Sequence, residues 1–249
     1  MSSSIGRKDQ NVLCTKSGNR CAMPDCRKEL VAEGNDKDRS SLVAQMAHIK
    51  GEKPGSARYD AGMADADRNK HENLILVCPS CHKKIDDQPN TYTVEKLVEI
   101  KQSHEQWIIE STRNEMTNIT FAELGVVTKY LMSGQATTGD SLTLITPRDK
   151  IKKNGLSQTA EQLILMGMTQ VKQVGSFIEK CPDIEFADRL RQGFVAEYSR
   201  LRNTERISGD DLFNAMHNYA SGQSTDFKQR AAGLAVLVYL FEKCEVFEK

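Results

Sequence analysis

The chain has 249 residues, of which 39% are hydrophobic and 27% charged, a balance that excludes disordered and fibrous classes and leaves room for two ordinary domains. Lysine and arginine total 34 and aspartate and glutamate total 34, so bulk charge excludes a strongly basic nucleic-acid protein, and any contact with a polyanion must come from a local arrangement. No run approaches the roughly 20 apolar residues of a membrane-spanning helix, and the Ser-rich opening with Arg7, Lys8 and Asp9 lacks the apolar stretch of a secretory signal. Seven cysteines, an odd number that includes two close pairs, argue against a disulfide scaffold and for a reducing compartment, with the cytoplasm the expected location.

In chain order, residues 41–49 read as a strand in which Leu42, Ala44, Met46 and His48 share one face. Residues 73–78, Asn-Leu-Ile-Leu-Val-Cys, read as a second short strand. Between them lies a loop of about 23 residues rich in Gly, Ala and Asp, a length that is usually functional or disordered. From 92 to about 114 the pattern is helical, with Val94, Leu97, Lys101, His104, Trp107 and Ile108 at steps of three and four and Thr93 as N-cap. The polar run 113–120 is the expected domain boundary. Beyond it come amphipathic helical segments at 121–132, 157–180, 185–201 and 210–220. The last segment, 228–247, is apolar nearly all round between Ala231 and Phe241, so it must be buried in its own core or against a partner.

The residues that carry chemistry lie in the first half. Cys21 and Cys26 form one thiol pair, Cys78 and Cys81 another. Zinc takes a tetrahedral shell of thiolates at about 2.3 Å, and such close pairs each supply two ligands from one turn. The ion would supply folding energy to a region with little apolar volume of its own. A shell of four cysteines is saturated, so this Zn²⁺ is expected to be structural; the alternative is four buried free thiols. Cys14 is a spare, and Cys181 and Cys244 are read as core residues.

His48 ends the first strand, Asn73 opens the second, and His82 follows Cys81 at the start of a helix. In this order, interleaved with the cysteines, Cys-x4-Cys, Ala-His-Ile and Asn-Leu-Ile-Leu-Val-Cys-Pro-Ser-Cys-His-Lys-Lys-Ile-Asp resemble the HNH endonucleases of the ββα-metal class, over about residues 18–107. The resemblance implies metal-dependent hydrolysis of DNA. His48 would be the general base, suited by an ordinary pKa of about 6.5. Asn73 would hold the His48 imidazole in orientation. His82 would bind a catalytic divalent ion, Mg²⁺ or another, that offsets charge at the phosphate. His104 and His217 lack such a context and are read as surface or structural residues.

One position departs from the family pattern. Where many HNH proteins place an Asp or His that also binds the metal, just before the base, this chain has Ala47. The second ligand would then be Asp86, one helical turn after His82, or Asp60 in the loop, or a backbone carbonyl, or the ion would be held mainly by substrate phosphate. Arg58 is a candidate phosphate clamp with a solvated loop arginine as the alternative, and Lys83 and Lys84 are candidates for backbone phosphates.

The second half shows no catalytic constellation. Residues 148–157 (Arg-Asp-Lys-Ile-Lys-Lys-Asn-Gly-Leu-Ser) and the tail from Gly233 resemble the C-terminal domain of bacterial ABC-three component systems, over about residues 121–249. That resemblance implies a variable effector placed before a helical assembly module, with an ATPase component as partner. The basic run Arg148, Lys150, Lys152 and Lys153 reads as a solvated face.

The expected architecture is therefore α+β: a zinc-stabilised ββα-metal domain over 1–115 and an all-α assembly and partner-binding domain over 120–249. The expected function is a DNA endonuclease in antiviral or anti-plasmid defence, a homo-oligomer through its apolar last helix, without membrane contact. The alternative is a zinc-dependent nucleic-acid-binding or adaptor module without catalysis.

Overall fold

The short apolar runs of the first half fold into short elements, seen in a computed structural model that describes residues 4–32, 37–38, 41–132, 147–243 and 247. Cys244 lies outside these. The chain divides into two units, Met1–Glu110 and Ser111–Lys249.

The first unit opens on helix α1 (Arg7–Lys16), which the polar composition of the opening conceals. Its apolar content is one turn, Val12 and Leu13, and both are fully buried. Two two-residue strands, β1 (Val31–Ala32) and β2 (Ser41–Leu42), pair antiparallel. Strand β3 (Gln45–His48) pairs antiparallel with β4 (Leu74–Val77), with Ala47 opposite Ile75 and His48 opposite Leu74. Between these strands lie a single helical turn, α2 (Asp65–Arg68), and a 3₁₀ turn, His71–Asn73. Helix α3 (Pro79–Asp87) follows β4 directly and packs on β3, and α4 (Val94–Glu115) closes the unit, so its division from the second falls within α4. Thr93 Oγ1 accepts from the Lys96 N–H at 3.3 Å, as its N-cap reading requires.

All four residues of β4 are fully buried, among Leu13, Leu30, Ala47, Ile49, Ile85 and Leu97. The strand expected over 41–49 is corrected on two counts. It is broken at Val43 and Ala44 into β2 and β3, which pair with different partners. Its core face is that of Ala47, since Leu42 is 44% exposed while Ala47 is fully buried.

Two arginines with buried side chains organise the long loop 50–72, where apolar mass is lacking. Arg68 donates to the carbonyls of Gly51, Asp60 and Met63 and to Asp65 Oδ1, all at 2.8–3.0 Å, with its guanidinium 4.6 Å from the Tyr59 ring centre. Arg58 adopts the left-handed conformation at φ 58° and is turned inward. At Gly51 a Cβ would sit 2.1 Å from Ser56 Oγ and 2.5 Å from the Ala57 carbonyl, so only glycine fits.

The second unit is all helical: α5 (Phe121–Met132), α6 (Pro147–Lys153), α7 (Gln158–Met168), α8 (Val171–Glu179), α9 (Phe186–Ser199), α10 (Gly209–Ala220) and α11 (Phe227–Lys243). The segment expected as one helix over 157–180 is two. Thr169 N–H and Gln170 N–H bond to the carbonyls of Met166 and Gly167, tightening the last turn of α7, and the Thr169 hydroxyl also takes the Met166 carbonyl. Ser157 caps α7 by accepting from Ala160 N–H. Helix α11 is the centre of the unit, packed against α5, α7, α8 and α10. Its apolar run is covered within the chain: Leu234, Ala235, Val236 and Leu237 are fully buried, and Phe241 is 1% exposed. The reason for expecting a homo-oligomer through this helix is thereby removed. The basic run is also not uniformly solvated, since Lys150 is fully buried and its Nζ donates to the Phe241 carbonyl at 2.7 Å. Among the described residues, no helix is long and apolar enough to cross a membrane.

Candidate functional site

Cys21 and Cys26 flank a tight knuckle. Cys21 N–H bonds to the Lys28 carbonyl at 2.8 Å, and the N–H groups of Cys26 and Arg27 both bond to the Met23 carbonyl. Cys78 ends the run of β4, Pro79 starts α3, and the His82 N–H closes the first turn on the Cys78 carbonyl at 2.9 Å. The four sulfurs converge with every pair within 4.8 Å; Cys26 Sγ and Cys78 Sγ are 3.9 Å apart. A tetrahedron of thiolates at about 2.3 Å has edges of about 3.8 Å, so this cluster can hold a metal ion such as zinc. Burial pushes the Cys21 thiol up to about 11 and carries Cys81 well above the thiol range. Burial opposes ionisation of Cys78 too, but hydrogen bonds from Cys81, Cys26 and Cys21 outweigh it and lower its pKa. Four crowded thiols are costly when neutral and worse when charged; a divalent cation resolves both.

Helix α4 buttresses the knuckle. Arg27, at φ 49°, bonds to His104 Nδ1 and lies 4.5 Å over the Trp107 ring. His104 is fully buried, with Nε2 on the Ser17 carbonyl at 3.0 Å, which makes it structural. Cys14 is buried apart from the cluster and its thiol is pushed up to about 12 by desolvation. Cys181 is half-buried rather than a core residue.

Beside the cysteines a hollow of about 170 Å³ is lined by His48, Gly51, Glu52, Lys53, Ser56, Ala57, His82 and Asp86. Three sequence-derived candidates thus meet there. His82 Nδ1 and Asp86 Oδ2, one turn apart on α3, are 3.5 Å apart, near enough to share one divalent ion with ligand distances of about 2.1 Å. Asp60 is not part of the lining. The Lys50 ammonium at 2.7 Å and the Gly62 N–H hold its two oxygens and keep its carboxyl below the usual range.

Two roles expected from the sequence are corrected by the contacts. The Arg58 side chain is 4% exposed, and its guanidinium donates to the carbonyls of Ile49 at 2.9 Å, Ile85 at 2.7 Å and His48 at 3.2 Å and to Asp86 Oδ1 at 2.8 Å. These donors are spent inside the protein rather than on solvent, and they tie the end of β3, which carries His48, to α3. Asn73 does not hold the His48 imidazole. Its Oδ1 accepts from Lys50 N–H and its Nδ2 donates to the carbonyls of Lys50 and Arg68, each at 2.9 Å. The imidazole is bonded instead through Nε2 to Asn69 Oδ1 at 2.7 Å. No local signal marks Asn69, because its position follows from how Arg68 and Asn73 fold the loop. Lys83 and Lys84 are exposed on α3, outside the hollow, with Lys83 paired to Asp87 at 2.7 Å and Lys84 5.5 Å from the Tyr92 ring centre.

A second cluster in this unit joins Asp9, His71 and Glu72. Asp9 Oδ1 accepts the His71 N–H at 2.8 Å and lies 3.3 Å from His71 Nδ1, pinning α1 to the turn before β4. Among the described residues, the second unit has no cluster of three or more such side chains. His217 there is structural: it is buried in α10, bonds the Arg230 carbonyl at 2.9 Å, and has its pKa lowered to about 3 by desolvation and by Arg230.

Residues 122–248, the helices from α5 through α11, match the family model of C-terminal domain 10 of the ABC-three component (ABC-3C) systems. The chain belongs to that family. No curated protein matches it. The ABC-3C match leaves the first unit uncovered, so the cysteine cluster and the histidine hollow lie wholly ahead of the family domain.

Proposed function

We propose that the first unit is an HNH-type endonuclease that hydrolyses DNA phosphodiester bonds and is the effector of an ABC-3C defence system under the control of an ATPase partner. The observation that carries this reading is the convergence of His48, His82 and Asp86 on one hollow beside the four-cysteine cluster. Zinc at the cysteines is structural: with all four positions taken by thiolates it has no open site for chemistry. His82 and Asp86 are the residues that would hold a catalytic divalent ion such as Mg²⁺, which supplies charge stabilisation at the phosphate and the leaving oxygen.

His48 removes the proton from the attacking water. The new P–O bond forms as the bond to the 3′ oxygen breaks, and solvent protonates the leaving oxygen. Ala47 takes no part: it is fully buried in the core opposite Ile75 and offers no ligand atom. Lys53 on the rim and Lys83 and Lys84 nearby on α3 offer local positive charge for a phosphate backbone, as a chain of zero net charge requires.

The test is plasmid cleavage with added Mg²⁺ or Mn²⁺. His48→Ala should lower the rate by about 10²–10⁴-fold, the usual contribution of a general base, with zinc content and DNA binding retained. Wild-type rates in the mutant would assign water activation elsewhere. Retained DNA binding with no cleavage by the wild type under any ion, with or without the ATPase partner, would favour the binding-module alternative.

A further inference from the structure

We infer that Asn69 is the positioning residue of His48, and that the motif asparagine, Asn73, acts one step further out by folding the loop that presents Asn69. The inference rests on the nuclease reading for its functional meaning, but its chemistry concerns the His48 side chain alone.

Asn69 Oδ1 lies 2.7 Å from His48 Nε2. An amide oxygen only accepts, so Nε2 carries the proton and Nδ1 is left bare. A neutral imidazole without a partner populates both tautomers and rotates about its side-chain bonds. One hydrogen bond at Nε2 selects both the tautomer and the ring orientation. His48 thus presents a single basic nitrogen, the form a general base needs.

The placement of Asn69 is built from buried contacts. It follows Arg68 directly, and the Arg68 side chain is anchored on Gly51, Asp60, Met63 and Asp65. The Arg68 carbonyl is in turn held by Asn73 Nδ2 at 2.9 Å. The same Asn73 side chain holds both backbone groups of Lys50, two residues after His48. Asn73 therefore clamps the chain beside the base and the chain beside its positioning residue in one place. It touches neither the imidazole nor Asn69's amide in this arrangement; it sets the distance between them.

The experiment uses the full-length chain labelled with ¹⁵N-histidine, observed at about pH 8.5, well above the ordinary imidazole pKa of about 6.5. His48 is assigned by loss of its signals in His48→Gln. The expected wild-type result is protonated Nε2 and bare Nδ1. Asn69→Ala should give averaged tautomers at His48, and Asn69→Asp, which keeps an acceptor, should restore the wild-type pattern. In cleavage assays Asn69→Ala should lower kcat roughly 10–100-fold, the usual effect of removing a supporting hydrogen-bond partner, with KM for plasmid unchanged. Zinc content checks the fold of each variant. A wild-type His48 protonated on Nδ1, or a tautomer unmoved by Asn69→Ala, overturns the inference. Plasmid cleavage by the wild type tests the nuclease reading separately, because the tautomer is read whether or not the protein cuts DNA.

Discussion

Replacing Arg58 should destabilise the first unit by several kcal/mol, although Arg58 is a polar loop residue. The worth of the side chain follows from its acceptors. The carbonyls of Ile49 and Ile85 belong to residues 2% and 0% exposed, so Arg58→Met leaves two buried acceptors without their donor. Each costs about 1–3 kcal/mol. The bond to the His48 carbonyl is longer, at 3.2 Å, and the pair with Asp86, a side chain 42% exposed, is worth no more than about 1 kcal/mol. The total is about 2–7 kcal/mol, and at about 4 °C or more per kcal/mol for a unit of this size the loss in Tm is at least about 8 °C. A second substitution separates backbone from side chain. At φ 58° any residue with a Cβ is strained by about 1–2 kcal/mol, and glycine's greater freedom when unfolded offsets about 0.5–1 kcal/mol of this, so Arg58→Gly should be more stable than Arg58→Ala by roughly 1 kcal/mol. Calorimetry of the zinc-loaded full chain reads both. A Tm for Arg58→Met within about 2 °C of wild type, or Arg58→Ala more stable than Arg58→Gly, refutes the reasoning.

Two further outcomes are expected. Purified protein should carry about one zinc per chain, and Cys78→Ser should abolish the unfolding transition of the first unit while that of the helical unit persists, because metal-binding free energy of roughly 10 kcal/mol or more is folding free energy here; a folded preparation free of zinc by elemental analysis contradicts this. In the helical unit, His217 has a folded pKa of about 3 against the ordinary 6.5, so the unfolded chain takes up a proton first as pH falls. Its contribution is complete above about pH 6.5 and is lost progressively toward pH 3, amounting to about 2 kcal/mol lost at pH 5. Urea unfolding followed by circular dichroism should show this slope in wild type and a smaller one in His217→Gln; equal slopes refute it.

What was legible in the sequence was what short-range pattern determines. The second strand, the start of α3 and the helix after Thr93 each carry their own signals: a run of four apolar residues, a proline at the first helical position, and an N-cap. The cysteine spacing likewise anticipates a cluster whose members come from two turns 52 residues apart, and the sulfurs do converge. Helix α1 was not legible, because its apolar content is a single turn in a polar segment. The face of β3 was misread because strict alternation selects whichever stripe is longer, and Leu42 and Ala44 extended the wrong one past the break. The fate of the run Ala231–Phe241 was undecidable by composition: an all-apolar helix is equally consistent with a domain core or an interface, and only the packing of α5, α7, α8 and α10 around it decides.

The loop 50–72 shows a more general limit. Its composition is that of a mobile segment, yet it is held by Arg58 and Arg68, whose eight hydrogen bonds each find a carbonyl or a carboxylate as acceptor. A guanidinium reads in sequence as a surface charge and, beside a nuclease-like motif, as a phosphate ligand. Both readings fail where it is turned inward, because a rigid five-donor fork can organise carbonyls of an irregular loop that no apolar side chain could satisfy. This is why the sequence pointed to Arg58 for the substrate and to Asn73 for the base. Both side chains bond to the backbone around His48 instead, and Asn69, which bonds to the His48 imidazole, lies in a stretch with no motif.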